Sequence, residues 1–352
     1  MFHPLRVSEV ERLTDDSVAV TLAVPPESRE AFRHTPGQHL TMRRLTPDGV
    51  EVRRTYSICS PAVPAGEDPV LRVGIRLVEG GEFSTWALKE LAVGHTVEVM
   101  EPMGRFVLAP RPGHFAAVVG GSGITPVLSI AATLLAREPE ARFCLVRSDR
   151  TAASTMFLDE VADLKDRYPD RFQLVTVLSR EEQQTGLPSG RLDEGRLTGL
   201  LPALLPVADV DGWYLCGPFG LVRGAERALR GLGVERARIH QEIFHVDDGS
   251  STARRAPGDA TGATLTATLD GRSGTWPVQE GETLLETVLR SRSDAPYACK
   301  GGVCGTCRAF LVTGEVRMDR NYALESEETD AGYVLACQSH PTTPRVELDF
   351  DR

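Results

Sequence analysis

The first 110 residues alternate in character. SVAVTLAV (17–24), HLTMRRL (39–45), VLRVGIRLV (70–78) and TVEVMEP (96–102) set apolar and β-branched side chains at near-alternate positions. That is the period of a strand with one buried face. LRVSEVERL (5–13) and VEVRRTYSIC (50–59) have the same texture. Gly37, the Pro47-Asp48-Gly49 turn, the Pro/Gly-rich stretch 61–66 and Gly94 punctuate them, as turn residues do. Short strands with regular turns predict an antiparallel β-barrel over 1–110. Only STWALKEL (84–91) reads as a helix, with Ser84 placed to cap it.

From His114 the pattern changes. FAAVVGG, RFCLVRS, FQLVTVLS and GWYLCG are short apolar runs, the signature of strands buried on both faces. Helical stretches fall at Pro126 to Arg137, Ser154 to Arg167 and Leu221 to Leu232. Strands alternating with helices predict a doubly wound α/β parallel sheet over 111–245. Residues 246–262, VDDGSSTARRAPGDATG, have almost no apolar content and read as a linker. Beyond it, 263–352 opens with a hairpin (ATLTATLDG, GTWPVQE) and a helix (TLLETVLRS). The chain therefore reads as multidomain, as 352 residues require.

The formal net charge of −10 makes nucleic acid and anionic membranes poor partners. No long uncharged apolar run is present, so no membrane span is expected. The first 25 residues lack a signal-peptide pattern. Cys59, Cys144 and Cys216 each sit in an apolar stretch, which suits a reducing, cytoplasmic setting.

The other four cysteines carry chemistry. Cys299, Cys304 and Cys307 stand at C-x4-C-x2-C within ACKGGVCGTC, and Cys337 follows later. This is the plant-type spacing for a [2Fe–2S] cluster. Gly301, Gly302 and Gly305 let the loop curl so that its N–H groups face sulfur. Three clustered cysteines also begin some zinc sites, but those prefer paired C-x2-C spacings. Residues from about 263 resemble a plant-type ferredoxin domain, for which a β-grasp α+β fold is expected.

Upstream, Arg54-Thr-Tyr56-Ser57 ends a barrel strand and Gly81-Glu-Phe-Ser84 precedes a helix. An arginine suits a pyrophosphate, a tyrosine ring stacks on a flavin, and a helix start favours an anion. Taken alone, the pieces also read as a surface arginine, a core tyrosine and an ordinary N-cap. Gly121-Ser-Gly123-Ile-Thr125-Pro126 follows a strand and opens a helix as G-x-G-x-x-P, with proline in a helix first turn. Together with Pro36-Gly37-Gln38, Pro102-Met-Gly104-Arg-Phe106 and Cys216-Gly217-Pro218, these motifs resemble the ferredoxin–NADP reductase superfamily. The resemblance implies that Arg54, Tyr56, Ser57, Gly81 and Ser84 hold FAD. It implies that Gly121, Gly123, Thr125 and Pro126 receive the nicotinamide nucleotide, and that Cys216 and Gly217 lie beside the two rings. Ser57, Cys216 and Glu242 are the implied catalytic residues, with Phe244 packed at the flavin. As bare sequence, Glu242 and Phe244 are an acidic residue and a core aromatic.

Ser179-Arg180-Glu181 resembles the stretch with which NADP-type members grip the 2′-phosphate, and Arg150 adds charge. Asp149 dissents, since an NAD site places a carboxylate on the ribose hydroxyl. NADPH is expected over NADH, and Gly190-Arg191 lies in the same region. The order of barrel, nucleotide domain, linker and ferredoxin resembles reductase components of multicomponent oxygenases, among them phenylacetyl-CoA epoxidase reductase-like subunits. The implied route is NADPH to FAD to [2Fe–2S] to an oxygenase. A reductase for a cytochrome P450, an alkane hydroxylase or a fatty-acid desaturase, or a non-catalytic redox-sensing module, stays open here. Residues 263–352 carry nine Lys/Arg against fourteen Asp/Glu. Glu325, Glu327, Glu328 and Asp330 gather there as an expected docking face for the acceptor, or as a solvated face that keeps the protein soluble.

Overall fold

A computed structural model describes residues 2–181, 189–245, 260 and 262–352. The chain forms two compact units, 1–246 and 247–352. The linker expected at 246–262 lies, except for Ala260 and Gly262, outside the described residues.

In the first unit, six antiparallel strands run in the order β4-β3-β6-β1-β2-β5. They are β1 (Phe2–Thr14), β2 (Ser17–Ala23), β3 (His39–Leu45), β4 (Glu51–Ser57), β5 (Leu71–Arg76) and β6 (Thr96–Met100). An isolated Ile58–Val73 bridge joins the two edges, closing the barrel and removing its exposed edges. Leu5, Val7, Val20, Leu40, Met42, Val73 and Val99 fill the interior.

Helix α1 (Glu82–Lys89) corrects one expectation: Gly81, not Ser84, is its N-cap. The Ser84 hydroxyl instead turns back within the first turn, donating to the Gly81 carbonyl at 3.2 Å and accepting from the Val78 N–H at 3.1 Å. The short polar side chain closes the preceding turn, and the helix therefore starts two residues early.

The second half of this unit is a five-stranded parallel sheet in the order β11-β10-β7-β8-β9. It comprises β7 (Gly113–Gly120), β8 (Ala141–Asp149), β9 (Phe172–Leu178), β10 (Gly212–Pro218) and β11 (Ile239–His245). Helices α2 (Ile124–Arg137), α3 (Leu158–Arg167), α4 (Glu194–Leu204) and α5 (Phe219–Gly231) cross between them. Helix α3 begins four residues later than its sequence pattern implies, because Phe157 adopts φ 54° and breaks the run after a short 3-10 turn. Helix α4 has no counterpart in the sequence pattern. It contains Gly199 and Pro202, which read as breakers, yet Asp193 caps it through the Arg196 N–H.

Barrel and sheet are joined by hydrogen bonds to backbone. Ser129 on α2 donates to the Ser60 carbonyl at 2.7 Å, and Thr133 accepts from the Ala62 N–H at 2.9 Å. Arg72 on β5 reaches Glu160 on α3 at 2.9 Å. At Gly37 the backbone has φ 100°, and a Cβ there would lie 2.0 Å from the Phe106 carbonyl oxygen.

The second unit has a five-stranded sheet, β13-β12-β18-β14-β16, with β12 and β18 parallel and the remaining pairs antiparallel. Its elements are β12 (Thr264–Leu269), β13 (Arg272–Pro277), α6 (Leu284–Leu289), β14 (Arg308–Thr313), β15 (Val316–Met318), α7 (Ser326–Asp330), β16 (Tyr333–Leu335), β17 (Ser339–Pro341) and β18 (Arg345–Asp349). A Thr283/Glu286 capping box starts α6, which buries Leu284, Leu285 and Val288 against Leu265, Val346 and Leu348. This is the β-grasp arrangement.

Gly37 gives a direct test of the barrel–sheet seam. Gly37→Ala forces both a left-handed backbone and a clash with main chain, so it should destabilise the first unit by about 2–3 kcal/mol. Urea unfolding followed by intrinsic fluorescence should show an earlier transition; an unchanged midpoint would remove the constraint.

Candidate functional site

The site lies where the end of β4 meets the carboxyl ends of β7 and β10. On the barrel side, Arg54 is exposed, and its Nη1 donates to the Arg53 carbonyl at 2.7 Å. Tyr56 is half-buried against Phe83, ring centroids 5.4 Å apart. A Cβ on Gly81 would lie 2.8 Å from Ser84 Oγ and 2.9 Å from the Val78 carbonyl. The glycine thus brings the N-terminus of α1 close to backbone, leaving a helix start with no side-chain cap. A cationic arm, an aromatic face and an open helix N-terminus fit a flavin with a pyrophosphate tail.

On the sheet side, the Gly-rich turn is pressed onto β10. A Cβ on Gly123 would stand 2.2 Å from the Cys216 carbonyl oxygen, and one on Gly217 would stand 2.9 Å from the Gly120 backbone. Gly121 has φ 55° and Gly217 φ 142°. Gly123, rather than the position held by Pro126, is therefore the close-packing glycine, and Pro126 sits in the first turn of α2. Thr125 Oγ1 bonds the Ser122 carbonyl at 2.9 Å and closes that turn. The resulting cradle of backbone at a helix start suits a dinucleotide phosphate.

Between the two faces lies a quartet of side chains: His39, Ser57 and Cys216 are buried, and Glu242 is largely so. His39 pairs in register with Ser57 across β3 and β4, and Cys216 pairs with Glu242 across β10 and β11. Ser57 Oγ is 3.5 Å from Glu242 Oε2, and His39 Nδ1 is 3.8 Å from Glu242 Oε1. Burial pushes the Glu242 carboxyl up to about 7, against a smaller downward pull from Ser57. Burial alone takes His39 down to about 4. Cys216 is fully buried, and burial, then the Glu242 charge, hold its thiol well above the ordinary range. Phe244 is partly buried and packs on the adjoining core.

Sequence reasoning missed two residues here. His39 becomes visible only once β3 and β4 are in register. Arg76, at the end of β5, is held by Asp16 at 3.0 Å and by the Ser154 carbonyl at 2.9 Å. Its Nη1 would lie 3.2 Å from a Cβ on Gly121, so a barrel cation reaches the nucleotide loop.

At the far end, the Asp149 carboxylate is buried and ion-paired to Arg147 at 2.8 Å. Arg150 and Arg180 are exposed, and the Arg180 N–H donates to the Arg150 carbonyl at 2.9 Å. Ser179 is linked similarly to the Asp149 carbonyl. Gly190 and Arg191 follow the undescribed residues 182–188, and the Gly190 N–H bonds the Leu178 carbonyl at 3.0 Å.

In the second unit, the cysteines fall into two pairs. Cys299 and Cys304 lie within hydrogen-bond reach of each other, as do Cys307 and Cys337. The hydrogen bond within each pair holds Cys299 and Cys337 low, and the same bond with burial holds Cys304 and Cys307 high. Among the described residues no three His, Cys, Asp or Glu groups converge as they would on one ion. Two thiol pairs suit two irons better than one zinc. The Gly301 N–H points at Cys299 Sγ, 3.3 Å away. Thr306 Oγ1 is buried beside Cys304 and lies within hydrogen-bond reach of its sulfur. Lys300, Gly302 and Gly305 take φ of 51°, 77° and 67° to shape the loop. These donors fit a sulfur-rich anionic cluster.

Comparison with known proteins bears on all three regions. Residues 4–108 match the oxidoreductase FAD-binding domain family, 118–227 the oxidoreductase NAD-binding domain family, and 267–342 the 2Fe-2S iron-sulfur cluster binding domain family. The chain is 43% identical to one of the subunits of the 1,2-phenylacetyl-CoA epoxidase of Escherichia coli (strain K12), over 99% of this chain and 98% of that one. It is 32% identical to the ferredoxin reductase component of 3-ketosteroid-9-alpha-monooxygenase from Rhodococcus rhodochrous, over 98% and 96%. The solved structure of phthalate dioxygenase reductase superposes with a TM-score of 0.62 at 25% identity, covering 99% of this chain and 98% of that one. No helix among the described residues is long and apolar enough to cross a membrane.

The His39–Glu242 pair makes a sharp prediction about stability and pH. The raised Glu242 keeps a proton that the unfolded chain has lost, so its contribution falls as pH rises from 4.5 to about 7. The depressed His39 lacks a proton that the unfolded chain carries, so its contribution grows between about 4 and 6.5. With both present the slopes cancel across the overlap. Relative to wild type, Glu242→Gln should gain stability with pH and His39→Gln should lose it. Each slope should approach about 1.4 kcal/mol per pH unit. Urea titrations at several pH values test this, and three parallel curves would contradict it.

Proposed function

Because the chain belongs to the family of oxygenase reductases built from FAD-binding, NAD-binding and 2Fe-2S domains, we propose that it draws electrons from NADPH and delivers them to an aromatic-degradation oxygenase of the phenylacetyl-CoA epoxidase kind. The likeness to the epoxidase component through the whole length of both chains carries the choice of acceptor. A bound flavin would supply acceptance of one hydride, two electrons, and their release one at a time, and a bound cluster would supply one-electron transfer.

The chain's own residues bind, orient and protect. Arg54 and the open start of α1 would hold the flavin pyrophosphate, and Tyr56 and Phe244 would line the site of its ring. Ser84 acts by closing the turn that presents this helix start. The Gly121–Pro126 turn, with Arg76 reaching in from the barrel, receives the nucleotide phosphates. Cys216 and Gly217 fill the floor with apolar, water-excluding surface. Glu242, buried with an apparent pKa of about 7, holds or yields a proton at working pH, and Ser57 orients it. Cys299, Cys304, Cys307 and Cys337 supply the cluster's thiolates. All seven cysteines are free, in keeping with a reducing cytoplasm.

NADPH is favoured by where the charges stand. Arg147 ties up the Asp149 carboxylate inside the sheet, so it does not repel a 2′-phosphate or accept from a 2′-hydroxyl. Arg150 and Arg180 stand together on the surface, where two guanidinium groups can meet one phosphate. Arg180→Ala should therefore raise the NADPH KM about tenfold or more, since a charge-assisted contact contributes about 1.5–3 kcal/mol. The NADH constants should change less than twofold. Steady-state reduction of ferricyanide measures both, and equal losses would overturn the nucleotide assignment.

The acidic docking face needs revision in its members. Glu325 and Glu328 cap α7 reciprocally, and Glu328 also pairs with Arg308 at 3.3 Å. Glu327 and Asp330 are the exposed charges. If they steer the acceptor, Glu327→Lys with Asp330→Lys should slow electron delivery to the oxygenase at low salt, while ferricyanide turnover holds. In wild type, added salt should slow only the protein acceptor, because such steering is screened over about 8–10 Å. A salt-independent acceptor rate would reduce the face to a solubilising one.

A further inference from the structure

We infer that Gln338 is a positioning residue for the cluster site: its carboxamide staples the ligand loop to the short 3-10 turn bearing the fourth cysteine and shares a proton with the Cys337 sulfur, thereby raising the cluster's reduction potential. The inference rests on the reading that the four cysteines hold a [2Fe–2S] cluster. Gln338 follows Cys337 directly and is 8% exposed. Its two Nε2 protons serve three acceptors: one goes to the Lys300 carbonyl at 2.9 Å, and the other is shared between the Cys337 carbonyl at 2.9 Å and Cys337 Sγ at 3.6 Å. Lys300 sits between Cys299 and the glycines of the loop, and it is one of few non-glycine residues with positive φ. A β-carbon in that region is strained. The Gln338 bond holds the Lys300 carbonyl in place and so sets the direction of the next N–H, which points at Cys299 Sγ.

Packing closes the same staple. A Cβ on Gly302 would stand 3.1 Å from Gln338 Cγ and 3.1 Å from the Arg320 carbonyl. The Gln338 carbonyl in turn accepts from the Asp319 N–H at 2.8 Å. Because the groups facing the carboxamide are the Lys300 and Cys337 carbonyls, which only accept, its amide protons are turned toward the cluster loop. Reduction adds negative charge to the sulfurs, and a nearby N–H stabilises the reduced state more than the oxidised one. A side-chain donor tied at once to the ligand loop and to the turn carrying Cys337 controls both the number and the aim of these bonds.

The test uses the full-length protein with its flavin and cluster. Gln338→Leu and Gln338→Met remove the donor, and methionine nearly keeps the shape. Both should retain two irons per chain, while at a fixed ambient potential the oxidised-to-reduced ratio of the cluster rises about tenfold, equivalent to about 59 mV for one electron. EPR-monitored redox titration reads this, and the flavin couple should stay within twofold of wild type. In wild-type protein carrying 15N in glutamine side chains, the reduced cluster should show a 15N hyperfine coupling that Gln338→Met abolishes. An unchanged cluster potential with iron intact, or no such coupling in wild type, overturns the inference. Absence of any [2Fe–2S] signal from wild type would instead overturn the cluster reading beneath it.

Discussion

The site depends on a seam that leaves no room for side chains. The turn after β7 and the end of β10 approach so closely that Gly120, Gly123 and Gly217 each face backbone or packed side chain where a Cβ would stand. The barrel is drawn onto the same edge by hydroxyls on α2 that bond the carbonyl and N–H of the 60–62 segment. Both contacts use main chain on at least one side, so each is directional and insensitive to neighbouring side chains. Ser57 and His39 arrive from the barrel and Cys216 and Glu242 from the sheet only because these two surfaces meet. A looser seam would admit water to the Glu242 carboxyl and return it toward its ordinary range.

Local pattern and ligand spacing make the architecture legible; pairing across the chain does not show in them. Period-two alternation locates the barrel strands, apolar runs locate the parallel ones, and cysteine spacing locates the cluster. Helix α4 is hidden because Gly199 and Pro202 carry breaker signals that burial of Leu197 and Leu201 overrides. Ser84 is of the residue type that caps helices, but a glycine one turn earlier takes the role. His39, Arg76 and Gln338 carry no local signature. Each matters through a partner between 18 and 203 residues away once register and crossover are fixed, or through a ligand segment 38 residues upstream.

Charge is sorted by burial. Arg147 and Asp149 sit side by side in the sheet, each almost wholly buried, where losing either partner would strand the other at a cost of several kcal/mol. One residue along the chain, Arg150 faces water. Strand β8 ends at Asp149, so the buried carboxylate belongs to the sheet and the exposed guanidinium to the turn that follows it.

The distribution of sulfur follows a similar logic. Burial pushes the Cys59 thiol up to about 12 and the Cys144 thiol up to about 12, and holds Cys216 well above the ordinary range. Since the thiolate is the reactive form, these three are protected both sterically and by protonation. The four clustered cysteines differ: Cys299 and Cys337 are held low by hydrogen bonding from their partner thiols, while Cys304 and Cys307 stay high. They sit on a loop shaped by positive-φ residues and ringed by N–H and O–H donors, which stabilise sulfur as an anion. A protein that handles single electrons in front of an oxygenase has most to lose from stray thiolates. The thiols held low, Cys299 and Cys337, are both among the four that the cluster would claim.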